Sequence, residues 1–458
     1  MITDLPRLPG IRYWTALAVA AAGALGGLAS GEPAGRPDIL ILVADDLGWN
    51  DVGWHNPEMR TPHLDALVKA GTELDCHYVQ PQCTPTRVAL LTGRYPSRFG
   101  PHCTQAANER ALPPGTPTLA SLLKTKGYTT GLFGKWHLGS LPEWGPNHYG
   151  FDHSYGSLAG ACGVWDHRYR LNRPPYTRTW HRNHGYLDEK GHSTDLVTAE
   201  AIRWMTSIAR DRPFLCYVPF HAVHTPLAEK DERWFAMNAH HPDPDRRHFA
   251  AYVSHMDDCV GRLVAALKKL NRFEDAIIIF TSDNGGLTGG YGGGAYPAPD
   301  PKLKAGFSSN KPLRGGKSTS WEGGIRVPAF VRGPGFPRKT MSAPMHVVDW
   351  LPTLATAAGC ELPDMVDGVD LLAHLDRPPP DRAFYTVWGG TGRRVALRQG
   401  DWKIRSDRKG DKHRWELYNL RRDPSETTDL AAEHPGRRDA LAALFRAERA
   451  KDFQPATP

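Results

Sequence analysis

The sequence has no Cys-x-x-Cys pair, no internal repeat, no large excess of one charge and, past residue 31, no apolar run long enough to cross a membrane. The missing cysteine pairs exclude the common structural zinc modules. Lys and Arg total 56 against 49 Asp and Glu, for a formal net charge of +7. That mild excess tolerates anionic partners and gives no reason to expect nucleic acid. Hydrophobic residues make up 40% and charged ones 23%, which excludes a collagen-like, polytopic-membrane or wholly disordered chain. Cysteine is scarce: Cys76, Cys83, Cys103, Cys162, Cys216, Cys259 and Cys360. If one has a special role, the others could pair in an oxidising compartment, but their scattered spacing predicts no connectivity. The 458 residues are ample for a large α/β core with an appendage.

What is present begins with a leader pattern over residues 1–31. Arg7 and Arg12 make a basic start, Trp14 to Leu28 is rich in Ala, Leu and Gly, and Ala29-Ser30-Gly31 offers small residues for cleavage. The run is short for a membrane anchor and is weakened by Gly and Ala, so it reads as a cleaved secretory signal. A secreted or periplasmic protein without a stable membrane span is expected. The remainder divides into a large domain over 32–376 and a small one over 377–458, with the linker candidate Arg377-Pro378-Pro379-Pro380 between them.

Along the large domain apolar runs end repeatedly in polar residues. The strand at 38–44 precedes Asp45-Asp46, and the strand at 128–133 precedes Lys135 and His137. The strand at 214–218 precedes His221 and His224, and the strand at 276–280 precedes Asp283-Asn284. Helical patterns opened at Thr61-Pro62 and Thr116-Pro117, and others over 194–209 and 248–270, alternate with these strands. Such alternation predicts a mostly parallel sheet flanked by helices, whose ligands bind beyond the carboxyl ends of the strands. Residues 285–316, rich in Gly, Pro and Ser, read as a long loop over that edge. Short runs at 394–398 and 402–404 predict a small antiparallel C-terminal sheet, closed by a helix over 437–450.

Four strand ends therefore offer acids, amines and imidazoles to one place. Asp45, Asp46, Asp283 and Asn284 are hard oxygen donors suited to Ca²⁺ or Mg²⁺. In Cys83-Thr84-Pro85-Thr86-Arg87, Pro85 suits a first helical turn, which puts Cys83 at a helix N-terminus and Arg87 one turn along. Lys135 and His137 straddle Trp136, and Lys317 sits in a glycine-rich setting. His221 and His224 have a spacing that zinc could use on a helix, but Pro226 argues for a loop. The stretch from Trp165 to His184 carries Arg168, Arg170, Arg173, Arg178 and Arg182 with Trp165 and Trp180. It reads either as a subsite for a polyanionic sugar chain or as a solvated loop.

These motifs resemble the formylglycine-dependent sulfatase family, of the arylsulfatase A/B-like kind within the alkaline phosphatase superfamily. Cys83-Thr84-Pro85-Thr86-Arg87 followed by Leu91-Thr92-Gly93-Arg94 is similar to its signature, with Thr86 where Ser is usual. Ala44 to Trp49, Gly134 to Gly139, His224-Thr225-Pro226, Asp283 to Gly286, Gly316-Lys317 through Gly324 and Asp367 to Asp370 follow in the family order. The resemblance implies an alkaline-phosphatase-like α/β fold with a small C-terminal subdomain. It implies Cys83 converted to formylglycine by a formylglycine-generating enzyme, and one Ca²⁺ held by Asp45, Asp46, Asp283, Asn284 and residue 83. It implies a sulfate pocket lined by Arg87, Lys135, His137, His224 and Lys317, with His224 as the acid for the leaving oxygen and His137 as the base. A sulfate ester, on a sulfated sugar or glycan, is the implied substrate. The alternatives are a phosphonate or phosphate ester hydrolase of the same superfamily, and a pseudo-sulfatase that binds sulfated glycan without cutting it.

Overall fold

A computed structural model describes residues 36–169, 178–288, 307–375, 381–390, 392–407 and 413–454. The leader at 1–31, Arg170, Arg173, the linker at 377–380 and part of the glycine-rich loop lie outside the described residues. In chain order the strands are β1 (Ile39–Ala44), β2 (Thr72–Leu74), β3 (His77–Tyr78), β4 (Thr129–Lys135), β5 (His153–Ser157), β6 (Trp180–Arg182), β7 (Gly185–Tyr186) and β8 (Phe214–Pro219). They continue as β9 (Ile277–Ser282), β10 (Ala329–Arg332), β11 (Lys339–Met341), β12 (Met345–His346), β13 (Ala383–Trp388), β14 (Arg394–Gln399), β15 (Trp402–Ser406) and β16 (Glu416–Asn419). The helices are α1 (Pro62–Lys69), α2 (Cys83–Thr92), α3 (Leu119–Lys124), α4 (Ser193–Ser207), α5 (Glu232–Met237), α6 (Pro244–Lys269), α7 (Glu322–Ile325), α8 (Trp350–Ala357) and α9 (Pro435–Arg449).

The main sheet has ten strands in the order β11-β2-β10-β9-β1-β8-β4-β5-β6-β7. Its middle, from β9 to β5, is parallel, while β10, β6 and β7 add antiparallel margins. The middle strands are unbroken apolar runs because both faces are covered. Along β1 the side chains alternate: Ile39, Ile41 and Val43 enter one core, and Leu40, Leu42 and Ala44 the other. The first core lies under α2, α3 and α8, and the second under α1, α4 and α6. The four-stranded antiparallel sheet β13-β14-β15-β16 joins the first core through Tyr385, Leu397 and Ile404, with Phe445 of α9. A buried ion pair ties it to α7, with Lys403 Nζ 2.9 Å from Glu322 and 2.9 Å from Glu426.

Two helix starts differ from the sequence pattern. α6 begins at Pro244 because the Asp243 carboxylate accepts from the N–H groups of Asp245 and Arg246. α3 begins after Thr118, which exchanges capping hydrogen bonds with Ser121. All seven cysteines are free thiols. They are dispersed between the cores, with Cys103 on one side of the sheet and Cys162, Cys216 and Cys259 on the other. No described helix is long and apolar enough to cross a membrane.

Candidate active site

Because β1, β4, β8 and β9 run in parallel, their carboxyl ends share one edge, and the residues following them meet there. α2 supplies the floor. Gln82 is extended (φ −156°, ψ 159°), so the helix starts at Cys83, and all ten of its residues are buried. Burial end to end keeps the free N-terminal N–H groups of this helix away from water. Thr86 secures the approach to the helix, since its hydroxyl accepts from Gln80 N at 2.9 Å and donates to Gln80 O at 3.1 Å. Thr84 donates to the His137 carbonyl at 2.9 Å, tying the helix start to the turn after β4.

Acids and cations then alternate. Arg87 grips Asp283 Oδ2 through Nε at 3.2 Å and Nη2 at 2.7 Å, and donates from Nη1 to Lys135 O at 2.7 Å. Lys135 Nζ is 2.6 Å from Asp45 Oδ2, with both side chains fully buried. Lys317 Nζ is 2.7 Å from Asp46 Oδ2, and Asn284 Nδ2 donates to Asp46 Oδ1 at 2.8 Å. Burial pushes the Asp45 carboxyl up to about 8, helped by the neighbouring charge of Asp283 and opposed by Lys135. Burial also acts to raise Asp46, but Lys317, His224 and Lys135 overcome it and hold that carboxyl below its ordinary value. The same alternation keeps Lys135 and Lys317 cationic: burial acts to lower them, and the carboxylates outweigh it.

Among the described residues, two buried oxygens in this cluster have no hydrogen-bond partner, Asp45 Oδ1 and Asn284 Oδ1. Ligand atoms of Asp45, Cys83 and Asp283 lie within 4.8 Å of one another, as do those of Asp45, Asp46 and His224. Unpartnered buried oxygens are costly unless something positive meets them, and oxygen donors from carboxylates and an amide suit a hard divalent cation.

The imidazoles complete the pocket wall. His224 Nδ1 is 2.6 Å from the Thr225 carbonyl, so that nitrogen carries the proton and donates. Its Nε2 faces Asp46 at 3.7 Å. Burial, with Lys317 beside it, lowers His224 to about 3, so the ring is neutral. His137 stands in the left-handed region (φ 55°) with neither ring nitrogen partnered, and burial beside Lys135 keeps it neutral well below its ordinary value. Its ring lies against Gly160, where an added Cβ would sit 2.2 Å from His137 Cε1 and 2.2 Å from Nε2.

The structure brings together Asp45, Asp46, Cys83, Arg87, Lys135, His137, His224, Asp283, Asn284 and Lys317. It does not support two other readings of the sequence. His221 joins no metal-type grouping among the described residues; it is buried on a loop with both ring nitrogens unpartnered, under the charges of Lys135 and Arg87. Sequence reasoning undervalues it, although its place after β8 is the same signal that singles out His224. The described residues of the Trp165 to His184 stretch, 165–169 and 178–184, do not form an open cationic patch. Trp180 is 1% exposed in β6 and stacks on His167, Arg168 and Arg178 both pair with Asp188, and Arg182 pairs with Glu200. A second histidine grouping, His192, Glu229 and His255, lies apart from this site, with His255 Nδ1 2.6 Å from Glu229 and His255 Nε2 3.2 Å from Asp195.

Comparisons with known proteins agree with this geometry. The family model described as Sulfatase matches residues 37–360. Arylsulfatase J of Mus musculus is 30% identical over 459 aligned positions, covering 88% of this chain and 74% of that protein. N-acetylgalactosamine-6-sulfatase of Canis lupus familiaris is 33% identical, covering 84% of this chain and 74% of its own. The crystal structure of Ps i-CgsB in complex with k-i-k-neocarrahexaose superposes with a TM-score of 0.81 at 31% identity, over 92% of this chain and 94% of that one. The mixed sheet with flanking helices and a small antiparallel C-terminal sheet is thus the alkaline-phosphatase-like fold expected from the sequence. With its matching model and relatives, the chain belongs to the sulfatase family of sulfuric ester hydrolases.

Proposed function

We propose that this enzyme removes sulfate from a sulfated sugar or glycan, with Cys83 converted to formylglycine and one Ca²⁺ held by Asp45, Asp46, Asp283, Asn284 and residue 83. The observation that carries the reading is the meeting of Asp45 Oδ1 and Asn284 Oδ1, both buried and unpartnered, with the residue 83 side chain among three cations. Once a divalent ion holds Asp45 ionised, the three carboxylates match Arg87, Lys135 and Lys317 in charge, and the ion leaves the pocket positive toward a sulfate. When present, Ca²⁺ would supply Lewis acidity and a hydrated formylglycine at residue 83 would supply a hydroxyl nucleophile. A sugar substrate is favoured by the relatives, which include an N-acetylgalactosamine-6-sulfatase and a protein crystallised with a neocarrahexaose.

The chain's own residues do the rest. Arg87, Lys135 and Lys317 offset charge on the transferred group from fixed positions, which costs no reorganisation during reaction. His224 is neutral with its proton on Nδ1. It becomes an acid only when a bound sulfate raises its proton affinity, and Nε2 then protonates the departing sugar oxygen. His137, with both ring nitrogens unpartnered among the described residues, would accept a proton from residue 83. Gly160 gives the His137 ring its place, so Gly160→Ala must displace it. Overpacking of this kind costs roughly 1–3 kcal/mol of stability, and a misplaced group can cost about 10²-fold in rate. Measured kcat for Gly160→Ala should fall more than its Tm shift explains.

The leader-like residues 1–31 fit maturation outside the cytosol, in a secreted or periplasmic protein, after a formylglycine-generating enzyme has acted on Cys83. The central test is metal removal. Dialysis against a Ca²⁺ chelator should lower activity on nitrophenyl sulfate by about 10²-fold or more, since a lost electrostatic stabiliser of the transition state typically costs that much. Added Ca²⁺ should restore the wild type and should not restore Asp45→Ala. Full activity in a metal-free sample would refute the cation site, and faster hydrolysis of a phosphonate ester of the same phenol would refute the choice of sulfate.

A further inference from the structure

A sulfate ester held among Arg87, Lys135 and Lys317 would place the rest of a glycan over the residues that border them. The facing ends of β13 and β14, at Trp388 and Arg394, border two sides. On the first side Gln82, bonded to Cys83, accepts through Oε1 from Trp388 Nε1 and from Ala106 N, both at 2.8 Å. On the second side Ser318, bonded to Lys317, accepts through its carbonyl from Arg394. The Trp388 ring lies 4.9 Å from the Arg394 guanidinium and 5.8 Å from that of Arg393.

This arrangement leaves specific donors unused. An amide oxygen has two lone pairs, so Gln82 Oε1 is saturated and its NH₂ group is held in one direction. That NH₂ has no protein partner among the described residues, and Gln82 is only half-buried. Arg393 is exposed and, among the described residues, has no acidic partner; its one contact of note is the indole of Trp388. Arg168 and Arg178 differ in this respect, since they share the carboxylate of Asp188. An unpaired guanidinium on a fixed aromatic platform, beside an oriented amide donor, is suited to an anionic group on a sugar.

We propose that Gln82, Trp388 and Arg393 form a subsite for an anionic group, a sulfate or a carboxylate, on the sugar next to the one that loses its sulfate. The proposal rests on the sulfate-ester reading above. It makes the C-terminal sheet a determinant of substrate choice, with Arg393 contacting the neighbouring anion, Gln82 donating to the sugar and Trp388 fixing both.

The test compares three sulfated disaccharides that differ only in the neighbouring sugar, which carries a second sulfate, a carboxylate or neither. Values of kcat/KM are measured for the wild type, Arg393→Ala and Arg393→Lys, with nitrophenyl sulfate as the reference substrate. A charge-assisted hydrogen bond predicts that the wild type prefers an anionic neighbour by about ten- to a hundred-fold. Arg393→Ala should erase that preference, and Arg393→Lys should keep part of it. A preference for only one of the two anions supports the subsite and identifies its ligand. A wild type that ignores the neighbouring charge, or losses in Arg393→Ala that are equal on all substrates, would overturn the subsite and leave sulfate-ester hydrolysis standing. A wild type that cuts neither the disaccharides nor nitrophenyl sulfate would overturn both readings.

Discussion

Cys83→Ala should fold normally and lose repeated turnover of sulfate esters, with kcat falling by roughly 10⁴-fold or more, the scale on which enzymes lose rate with their nucleophile. An unmodified thiol is poorly suited to this chemistry in such a setting. Burial raises the Cys83 thiol above its ordinary value despite Lys135 and Lys317, so little thiolate forms at neutral pH. Truncation to Ala removes one sulfur from a site 2% exposed, which by the cost of small core deletions is about 1 kcal/mol. Cys83→Ser keeps one hydroxyl without the second, so it should give a stoichiometric burst and then stall. Stopped-time assays of both variants, with intact-mass measurement of residue 83 in the wild type, check these expectations. Steady multiple turnover by Cys83→Ala would sink the mechanism.

The site is legible in the sequence for a physical reason. Parallel strands covered on both faces must be apolar throughout, so the first polar residue after each run marks the strand's end and hence the ligand edge. Asp45 follows its run directly and Lys135 follows a single glycine, while His221 comes before His224 and the polar Thr281 and Ser282 lead into Asp283. Strands of the margin lack that contrast. β5, His153–Ser157, is polar and glycine-containing, yet it is a full member of the sheet because β4 supplies its ladder. β2 and β10 pair across more than 250 positions of chain, a distance no local pattern encodes. Contacts between side chains are equally out of reach. Arg168 and Arg178 look like a cationic patch in sequence, and only the fold brings Asp188 between them. The link from Trp388 to Gln82 spans |i−j| = 306, so nothing near Cys83 announces that the C-terminal sheet reaches it. Gly160 gives no sign either, because its importance lies in the His137 ring pressed against it.

The acid can be identified by the leaving group it serves. A sugar alkoxide leaves far less readily than a nitrophenolate, so its departure depends much more on a proton delivered as the ester bond breaks. General acid catalysis is typically worth about 10²- to 10⁴-fold. If His224 delivers that proton, His224→Ala should lose much more kcat/KM on a sugar sulfate than on nitrophenyl sulfate. Losses in sulfate binding should be alike for the two, because both present the same group to Arg87, Lys135 and Lys317. The resting geometry sharpens the expectation. Since the His224 proton sits on Nδ1 and the ring is neutral, the proton for the leaving oxygen must be taken up with substrate bound. The variant should therefore flatten the pH dependence of kcat on the sugar sulfate, while the nitrophenyl reaction keeps its profile. Equal losses on the two substrates would mean that His224 holds sulfate without donating. The proton would then come from Lys317, whose ammonium lies 2.7 Å from Asp46 Oδ2. Lys317→Ala, and not His224→Ala, would in that case show the larger penalty on the poorer leaving group.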